Sequence, residues 1–168
     1  ICGGYQMLGK YIYDLKGIEG EVTSEKGFQF LDIETVFNDE KRTKQVKGVI
    51  QGSCSIFKSC IGVEVTGYEI HNGVTNIRDE ALVFINGENN EVLGAYNKEK
   101  NVLGTYLHGI FDKEDFLLKF INDIREAKGL KIIENEILDY RVYKLNQYNE
   151  LAKLFEENIN IERVIKYK

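Results

Sequence analysis

The residues with the greatest potential for chemistry are one cysteine near the start of the chain and one histidine far downstream. Cys2 is followed by Gly3 and Gly4 and then by an apolar segment with helical spacing. This pattern is typical of a nucleophile elbow, a tight turn between a strand and a helix that presents a reactive side chain. His108 is one of only two histidines in the chain and is therefore the main candidate for the base. The sequence predicts cysteine-based nucleophilic catalysis.

The thiolate is the reactive form of cysteine, so the surroundings of Cys2 decide whether it can attack a substrate. We expect the start of the helix at Gly3 and the imidazole of His108 to favour the thiolate. The N–H of Gly3 would be one donor to the oxyanion of a tetrahedral intermediate. Each residue also has a purely structural interpretation. A cysteine often packs as a small hydrophobe, and a histidine at the end of a strand can serve only as a hydrogen-bonded group.

The segments between these two residues alternate between helical and strand-like patterns. Residues 3–14 are predicted to form a helix, and residues 38–44 a charged turn. Short strands are predicted over 28–37, 46–51, 63–71, 81–85 and 92–96. A buried strand over residues 102–107 should end at His108.

Two helices are predicted after that strand. Asp112 is expected to cap the first, and Gly129 to end it. The second should cover residues 134–158. Its predicted inner stripe consists of Leu138, Val142, Leu145, Ala152 and Phe155. The predicted order of helices and strands indicates an α/β domain. In such domains ligands bind at the carboxyl ends of the strands.

Composition narrows the class of protein. The 168 residues suit one domain, and the net charge of −5 argues against a nucleic-acid binder. No apolar segment is long enough to cross a membrane. Cys54 and Cys60 lie six positions apart with no histidine nearby, so we interpret them as structural and predict no metal site. An odd, sparse set of cysteines predicts a reducing compartment, the cytoplasm.

Four segments, in the right order, resemble the class I glutamine amidotransferases, and in particular the branch that acts on corrinoids. Ile1–Gly9 resembles the nucleophile segment of that family, and Gly104–Phe111 resembles its catalytic histidine segment. Gly67–Gly73 and Tyr148–Leu154 are similar to further segments of the corrinoid branch. The resemblance implies a flavodoxin-like α/β sheet with flanking helices.

The resemblance also implies roles for individual residues. Cys2 would attack the side-chain amide of glutamine to form a γ-glutamyl thioester, and His108 would act as base and then as acid. Gly3 and Gln6 would bind the substrate or its oxyanion. The remaining two candidate substrate-binding residues are Glu69 and His71. These two are spaced to share one face of a strand, and a local hydrogen bond at a strand end is an equal alternative for them.

One position departs from the broader family pattern. Many class I members have a glutamate two residues after the histidine, whereas this chain has Ile110. The resemblance therefore implies a Cys–His dyad, with His108 oriented by some other group such as a backbone carbonyl. Asp112 is four residues after the histidine, and we interpret it first as a helix cap.

The resemblance places this chain in a larger enzyme. An elbow requires a preceding strand, so residues 1–168 are expected to be the C-terminal part of an amidotransferase domain, from the elbow onwards. Ammonia would pass to an N-terminal synthetase domain that is absent from this chain. That domain would use ATP and Mg to amidate a corrinoid in cobalamin biosynthesis. The chain itself is predicted to need glutamine and no cofactor.

Three alternatives to this function stay open at the level of sequence. The first is another class I amidotransferase, such as a cobyrinic acid a,c-diamide synthase or a cell-wall lipid amidotransferase. The second is a Cys–His hydrolase, and the third is a binding module that kept the fold without catalysis.

Overall fold

The computed structural model describes residues 1–21, 23–134 and 140–160. A single seven-stranded sheet forms its centre. The strands are β1 (Tyr11–Tyr13), β2 (Ser24–Lys26), β3 (Ile33–Ile50), β4 (Glu64–Ile77), β5 (Leu82–Gly87), β6 (Val92–Asn97) and β7 (Val102–Thr105). The α-helices are α1 (Gly3–Met7), α2 (Glu114–Ala127) and α3 (Tyr140–Asn158), with short 3₁₀ turns at 58–60, 88–90 and 110–112. The predicted α/β class, a sheet with helices beside it, is confirmed.

The sheet is built around its longest strand. The strand order is β2-β1-β3-β5-β6-β7, and β4 also pairs with β3. Strand β1 runs parallel to β3, whereas the other pairs are antiparallel. Strand β3 pairs with β4 from Ile33↔Ile77 to Val49↔Glu64. This pairing holds β4, the strand that carries several residues of the candidate site, against β3.

The charged segment 38–44 was expected to be a turn, and that expectation is wrong. These residues belong to β3, and their register against β4 shifts between Val36 and Lys41. The side chains of residues 39–44 are exposed, while the backbone of Lys41 and its successors pairs with β4. Cross-strand hydrogen bonds satisfy the backbone here, so a strand can persist without burying apolar side chains.

The first helix is shorter than predicted. Helix α1 ends at Met7, and residues 11–13 form β1 instead of continuing the helix to residue 14. Tyr11–Tyr13 is rich in aromatic and β-branched residues, which favour a strand when a partner such as β3 is available. Gly9 allows the close approach, because a Cβ there would lie 2.8 Å from the carbonyl oxygen of Ile33.

Two clusters of buried side chains form the core. One surrounds Phe84 and Ile85 of β5 and receives Phe116 from α2. The other contains Tyr5 of α1, which packs edge-on against Tyr106 at 5.1 Å between ring centroids. Helix α2 begins and ends close to the predicted bounds, and Gly129 follows it with a φ of 67°. The two clusters fix α1 and α2 against the sheet.

Helix α3 does not bury the stripe that was predicted for it. Val142, Leu145 and Phe155 are exposed by 50%, 58% and 49%. An apolar pattern shows that a helix face is suited to burial, but it does not show what covers that face. Leu138, also part of the predicted stripe, lies outside the described residues. Of the helices described, none combines the length and apolar character needed to span a membrane.

Candidate active site

Cys2 occupies a sharp turn immediately before α1. Its φ of 52° and ψ of −118° are unusual for a residue with a side chain and signal local backbone strain. The N–H of Cys2 donates to the carbonyl oxygen of Thr105 at 2.9 Å, which holds the turn against the end of β7. The strain falls on Cys2 itself and not on the glycines after it. A Cβ at Gly3 or Gly4 would have no atom within 4 Å, so both positions border open space.

The surroundings of the thiol include a potential acceptor and a free donor. The Sγ atom of Cys2 lies 3.5 Å from the carbonyl oxygen of Ile70. The carbonyl oxygen of Cys2 accepts the N–H of Gln6 at 3.1 Å, within the first turn of α1. The N–H of Gly3 has no acceptor among the described residues. It is therefore free to donate to a ligand at this end of the helix.

His108 is fixed by its neighbour on β4. Its N–H donates to the carbonyl oxygen of Tyr68 at 2.9 Å, and its own carbonyl oxygen accepts the N–H of Tyr68 at 3.1 Å. The two rings stack at 5.1 Å with 7° between their planes. Gly67 makes this approach possible, because a Cβ there would overlap the carbonyl oxygen of His108. The Nε2 atom of His108 is buried without a hydrogen-bond partner among the described residues.

Cys2 and His108 both contact strand β4. Cys2 bonds to Thr105 and its sulfur lies against Ile70, whereas His108 pairs with Tyr68. Residues two apart on a strand are separated by about 7 Å, so the two attachment points on β4 are neighbours. Both candidate residues are therefore held against the same stretch of β4.

Among the described residues, no carboxylate side chain forms a hydrogen bond or ion pair with His108. Ile110, at the position where a third catalytic group would stand, is 3% exposed and packs in the core. The backbone N–H of Asp112 donates to the carbonyl oxygen of Gly109. The N-cap residue of α2 is Lys113, which makes no side-chain capping hydrogen bond, so the expected helix cap at Asp112 is wrong. The described contacts of His108 are its backbone pairing and ring stacking with Tyr68.

Glu69 and His71 form a buried pair on β4. They are 1% and 7% exposed, and His71 Nε2 lies 3.4 Å from Glu69 Oε1. The other ring nitrogen, Nδ1, lies 3.1 Å from the carbonyl oxygen of Gly73. Arg42 on β3 approaches the second carboxylate oxygen of Glu69, with Nε 3.3 Å away. The predicted shared face is correct, and the pair is buried in the sheet instead of lying at an exposed strand end.

A polar network connects this pair to the nucleophile turn. The ring of His71 stacks on Tyr106 at 3.6 Å. The Tyr106 hydroxyl accepts the side-chain amide N–H of Gln6 at 3.1 Å and lies 2.5 Å from Thr75 Oγ1. Burial raises the pKa of the Tyr106 phenol, against the opposing effect of its hydrogen bonds with Thr75 and Gln6. Sequence reasoning missed Tyr106 and Thr75, because both fit ordinary strand patterns and only their shared hydrogen bonds distinguish them.

A cleft of about 330 Å³ opens beside Cys2. Its walls include Gly3, Gln6 and His71 from the predicted site, and Glu19 and Lys41 from outside it. This volume is within the range of small-molecule sites. His108 and Glu69, the other two predicted site residues, are not part of the cleft wall. The described residues contain no group of three or more His, Cys, Asp or Glu side chains that could hold a metal ion.

The other two cysteines are packing residues. Cys54 and Cys60 are fully buried and unpaired. Burial raises the pKa of the Cys54 thiol. Burial, reinforced by nearby Asp123, raises the pKa of the Cys60 thiol to about 12. Neither thiol ionises readily near neutral pH, so Cys2 is the thiol placed for chemistry.

Comparison with known proteins identifies relatives over the whole chain. The family described as the CobB/CobQ-like glutamine amidotransferase domain matches residues 1–116. The cobyric acid synthase of Clostridium botulinum strain Alaska E43 is 41% identical over 165 residues, which cover 98% of this chain and 33% of that protein. That of Clostridium perfringens strain SM101 is 45% identical over 170 residues, covering 99% of this chain and 33% of that protein.

A third relative is likewise matched by almost the whole of this chain but over only about a third of its own length. The cobyric acid synthase of Thermoanaerobacter sp. strain X514 is 42% identical over 171 residues, which cover 98% of this chain and 34% of that protein. The chain therefore spans about a third of the length of the curated relatives it matches. Among solved structures, a protein from Thermoplasma acidophilum described as part of a GMP synthase has a TM-score of 0.42 and 21% identity. The match covers 58% of this chain and 51% of that one.

Proposed function

The chain belongs to the family of CobB/CobQ-like glutamine amidotransferase domains, and we propose that it performs the glutamine-hydrolysing step of a cobyric acid synthase. One observation carries the proposal. Cys2 holds a strained conformation at the start of α1, and its thiol opens onto a cleft that could hold a small molecule. Relatives at 41% to 45% identity over almost the whole chain support the assignment.

The proposed reaction begins with attack of the Cys2 sulfur on the side-chain amide carbon of glutamine. His108 accepts the thiol proton and returns a proton to the departing nitrogen, so the C–N bond breaks and ammonia leaves. A γ-glutamyl thioester remains on Cys2. Water then attacks the thioester with His108 as base, and the C–S bond breaks to release glutamate. The unpartnered Nε2 of His108 supports its role in carrying this proton.

The residues around the thiol supply the other parts of the mechanism. The free N–H of Gly3 is a donor for the oxyanion of each tetrahedral intermediate. Gln6, bonded to Tyr106, forms part of the wall that positions the amide. Glu69 acts through His71, because the carboxylate does not reach the cleft and the imidazole does.

The ammonia is proposed to serve an ATP-dependent amidation elsewhere in the enzyme. In this proposal a synthetase domain outside this chain uses ATP and Mg to activate carboxylates b, d, e and g of adenosylcobyrinic acid a,c-diamide. Each activated carboxylate is then amidated, in the cytoplasm, on the route to cobalamin. The names of the relatives, cobyric acid synthases, support this assignment.

Substitution of the nucleophile tests the proposal in the natural polypeptide that contains this chain. Cys2→Ala should lower glutamine-dependent amide formation by about 10³-fold or more, as loss of a covalent catalyst does. Amidation with ammonium salts should persist, because it bypasses the thioester. His108→Ala should be comparably damaging with glutamine and equally harmless with ammonia. Cys54→Ala is the matched control, since that thiol is buried away from the cleft.

Two results would contradict the proposal. Retention of glutamine use by Cys2→Ala would remove Cys2 as the nucleophile. Failure of the wild-type enzyme to release ammonia from glutamine would instead favour a hydrolase of other amides or a binding module.

A further inference from the structure

The cleft beside Cys2 contains two opposite charges that the catalytic steps do not use. Glu19 and Lys41 both line it and both are exposed. They form no ion pair with each other, and Lys41 has no ion-pair partner anywhere in the described chain. The cleft therefore presents one anion and one cation to whatever enters it.

The other cations nearest to Lys41 along β3 are already neutralised. Arg42 is paired with Glu69 and Glu91, and Lys44 is paired with Glu91. Lys41 differs from these two neighbours in facing the cleft and in lacking a carboxylate. An unpaired ammonium on a cleft wall is suited to bind a carboxylate of a ligand.

Glu19 is held in place before any ligand arrives. Its Oε1 atom accepts the side-chain amide N–H of Asn72 at 2.8 Å. The loop that carries it is ordered by Asp14, whose carboxylate accepts the backbone N–H groups of Ile18 and Glu19, each at 2.8 Å. One oxygen of the Glu19 carboxylate is left without a hydrogen bond in the described chain. A fixed carboxylate of this kind is a suitable acceptor for an ammonium group.

The same residue, Asn72, connects both charges to the nucleophile turn. Lys41 lies opposite Asn72 in the β3–β4 register, and the carbonyl oxygen of Asn72 accepts the side-chain amide N–H of Gln6 at 3.3 Å. Gln6 in turn lies one helical turn after Cys2. Glu19, Lys41 and Cys2 therefore line a single cavity. Short chains of contacts through Asn72 also connect the two charged residues to the turn that carries the thiol.

The geometry points to recognition of the α-amino-acid end of glutamine by these two residues, Glu19 binding the α-ammonium and Lys41 the α-carboxylate. This inference rests on the proposed function and specifies which groups select the substrate. A ligand that carries an ammonium and a carboxylate on one carbon can pair with Glu19 and Lys41 at the same time, while its carboxamide extends towards Cys2. Glu19 and Lys41 are then specificity residues, and neither takes part in the bond changes at sulfur.

Labelling of Cys2 separates recognition from reactivity. The probe is 6-diazo-5-oxo-L-norleucine, an electrophilic glutamine analogue with an intact amino-acid end, and iodoacetamide is the comparison reagent without one. In the full natural polypeptide, Lys41→Met and Glu19→Gln should each slow labelling by the analogue about tenfold or more, the loss expected for one charge-assisted hydrogen bond. Iodoacetamide should react at the wild-type rate. Matched controls are Lys47→Met, also exposed on β3, and Glu25→Gln, exposed on β2.

A second measurement assigns each charge to its residue. L-Glutamine, 4-carbamoylbutanoate without the amino group and 4-aminobutanamide without the carboxylate are compared as protectants of Cys2 against iodoacetamide. Wild type should prefer glutamine to both. Glu19→Gln should lose most of its preference over 4-carbamoylbutanoate, and Lys41→Met most of its preference over 4-aminobutanamide. The reverse pattern, or no change in either preference, would overturn the assignment.

The outcomes distinguish this inference from the function on which it rests. If the analogue labels wild type and both variants equally fast, the two residues do not recognise the substrate, although the glutamine chemistry stands. If iodoacetamide labelling falls as much as analogue labelling, the variants have altered the thiol, and the inference is also wrong. If the analogue does not label wild-type Cys2 while iodoacetamide does, both the function and the inference are overturned.

Discussion

The imidazole of His108 stacks on the ring of Tyr68, with 5.1 Å between centroids and 7° between planes, and the two backbones exchange hydrogen bonds at 2.9 and 3.1 Å. Many class I amidotransferases have a glutamate two residues after the histidine, whereas here the imidazole lies against an aromatic ring. A flat aromatic surface restricts the rotation of the imidazole without accepting its proton. The described residues thus contain a histidine held by stacking, with Nε2 left free.

Loss of the Tyr68 ring should therefore impair glutamine hydrolysis through His108. Tyr68→Leu is expected to lower glutamine-dependent kcat by about 10- to 100-fold, because a small misplacement of a catalytic group is costly. Tyr68→Phe keeps the ring and should stay close to wild type. Steady-state kinetics with glutamine and with ammonium would measure both. Equal damage by Leu and Phe would show that the hydroxyl, not the stacking, is what matters.

Removal of the buried Glu69 carboxylate should destabilise the sheet. Glu69→Leu leaves the buried His71 Nε2 without its partner, whereas Arg42 keeps Glu91, and an orphaned buried polar group costs about 1–3 kcal/mol. The free energy of unfolding from urea titrations would measure the loss. Glu64→Leu on the same strand is the control, because its side chain is 79% exposed and its ion pair with Lys113 is long, at 3.8 Å. Equal midpoints for the two variants would contradict this account.

The three thiols should differ sharply in reactivity. At about pH 8 iodoacetamide should modify Cys2 and leave Cys54 and Cys60 intact, because burial raises the pKa of both and blocks access. In concentrated urea all three should react. Mass spectrometry of peptides after short exposure would give the three rates. Modification of Cys60 at the rate of Cys2 in the folded protein would show that the core cluster around it opens readily.

Asp32 should make stability depend on acidity. A hydrogen bond from Lys10, which lies 2.7 Å away, lowers the pKa of this carboxyl against the opposing effect of burial. A carboxyl with a lowered folded-state pKa stabilises the fold above its unfolded pKa of about 4, and that stabilisation is lost as the pH falls through the folded value. Asp32→Asn should therefore flatten the decline of the urea midpoint between about pH 5 and pH 2. The exposed neighbour variant Asp79→Asn should keep the wild-type slope, and a wild-type slope in Asp32→Asn would refute the assignment.

Local geometry could be predicted from sequence because it depends on residue types and short spacings. The Cys2-Gly3-Gly4 segment indicated the tight turn that Cys2 occupies before α1. The alternate spacing of Glu69 and His71 placed both on one face of a strand. These predictions concern neighbours within a few residues, where backbone geometry alone determines direction.

Predictions that depended on distant partners were less successful. Residues 38–44 form a strand because β4 pairs with them, and Tyr11–Tyr13 forms a strand because β3 is adjacent. The predicted stripe on α3 is exposed at Val142. In the first two cases a neighbouring strand overrode the local propensity of the segment. In the third, no neighbouring element in the described structure covers the apolar face.

By itself, then, the sequence determined which side chains could react and the family to which the chain belongs. Only the tertiary structure decided that Tyr68 stacks on His108 and that Glu19 and Lys41 share the cleft with Cys2. The physical reason is that backbone pairing between β3 and β4 sets which distant residues meet. Hydrogen bonds of the ladder are alike for every residue type, so the amino acids at positions 41 and 72 alone do not reveal that they are partners.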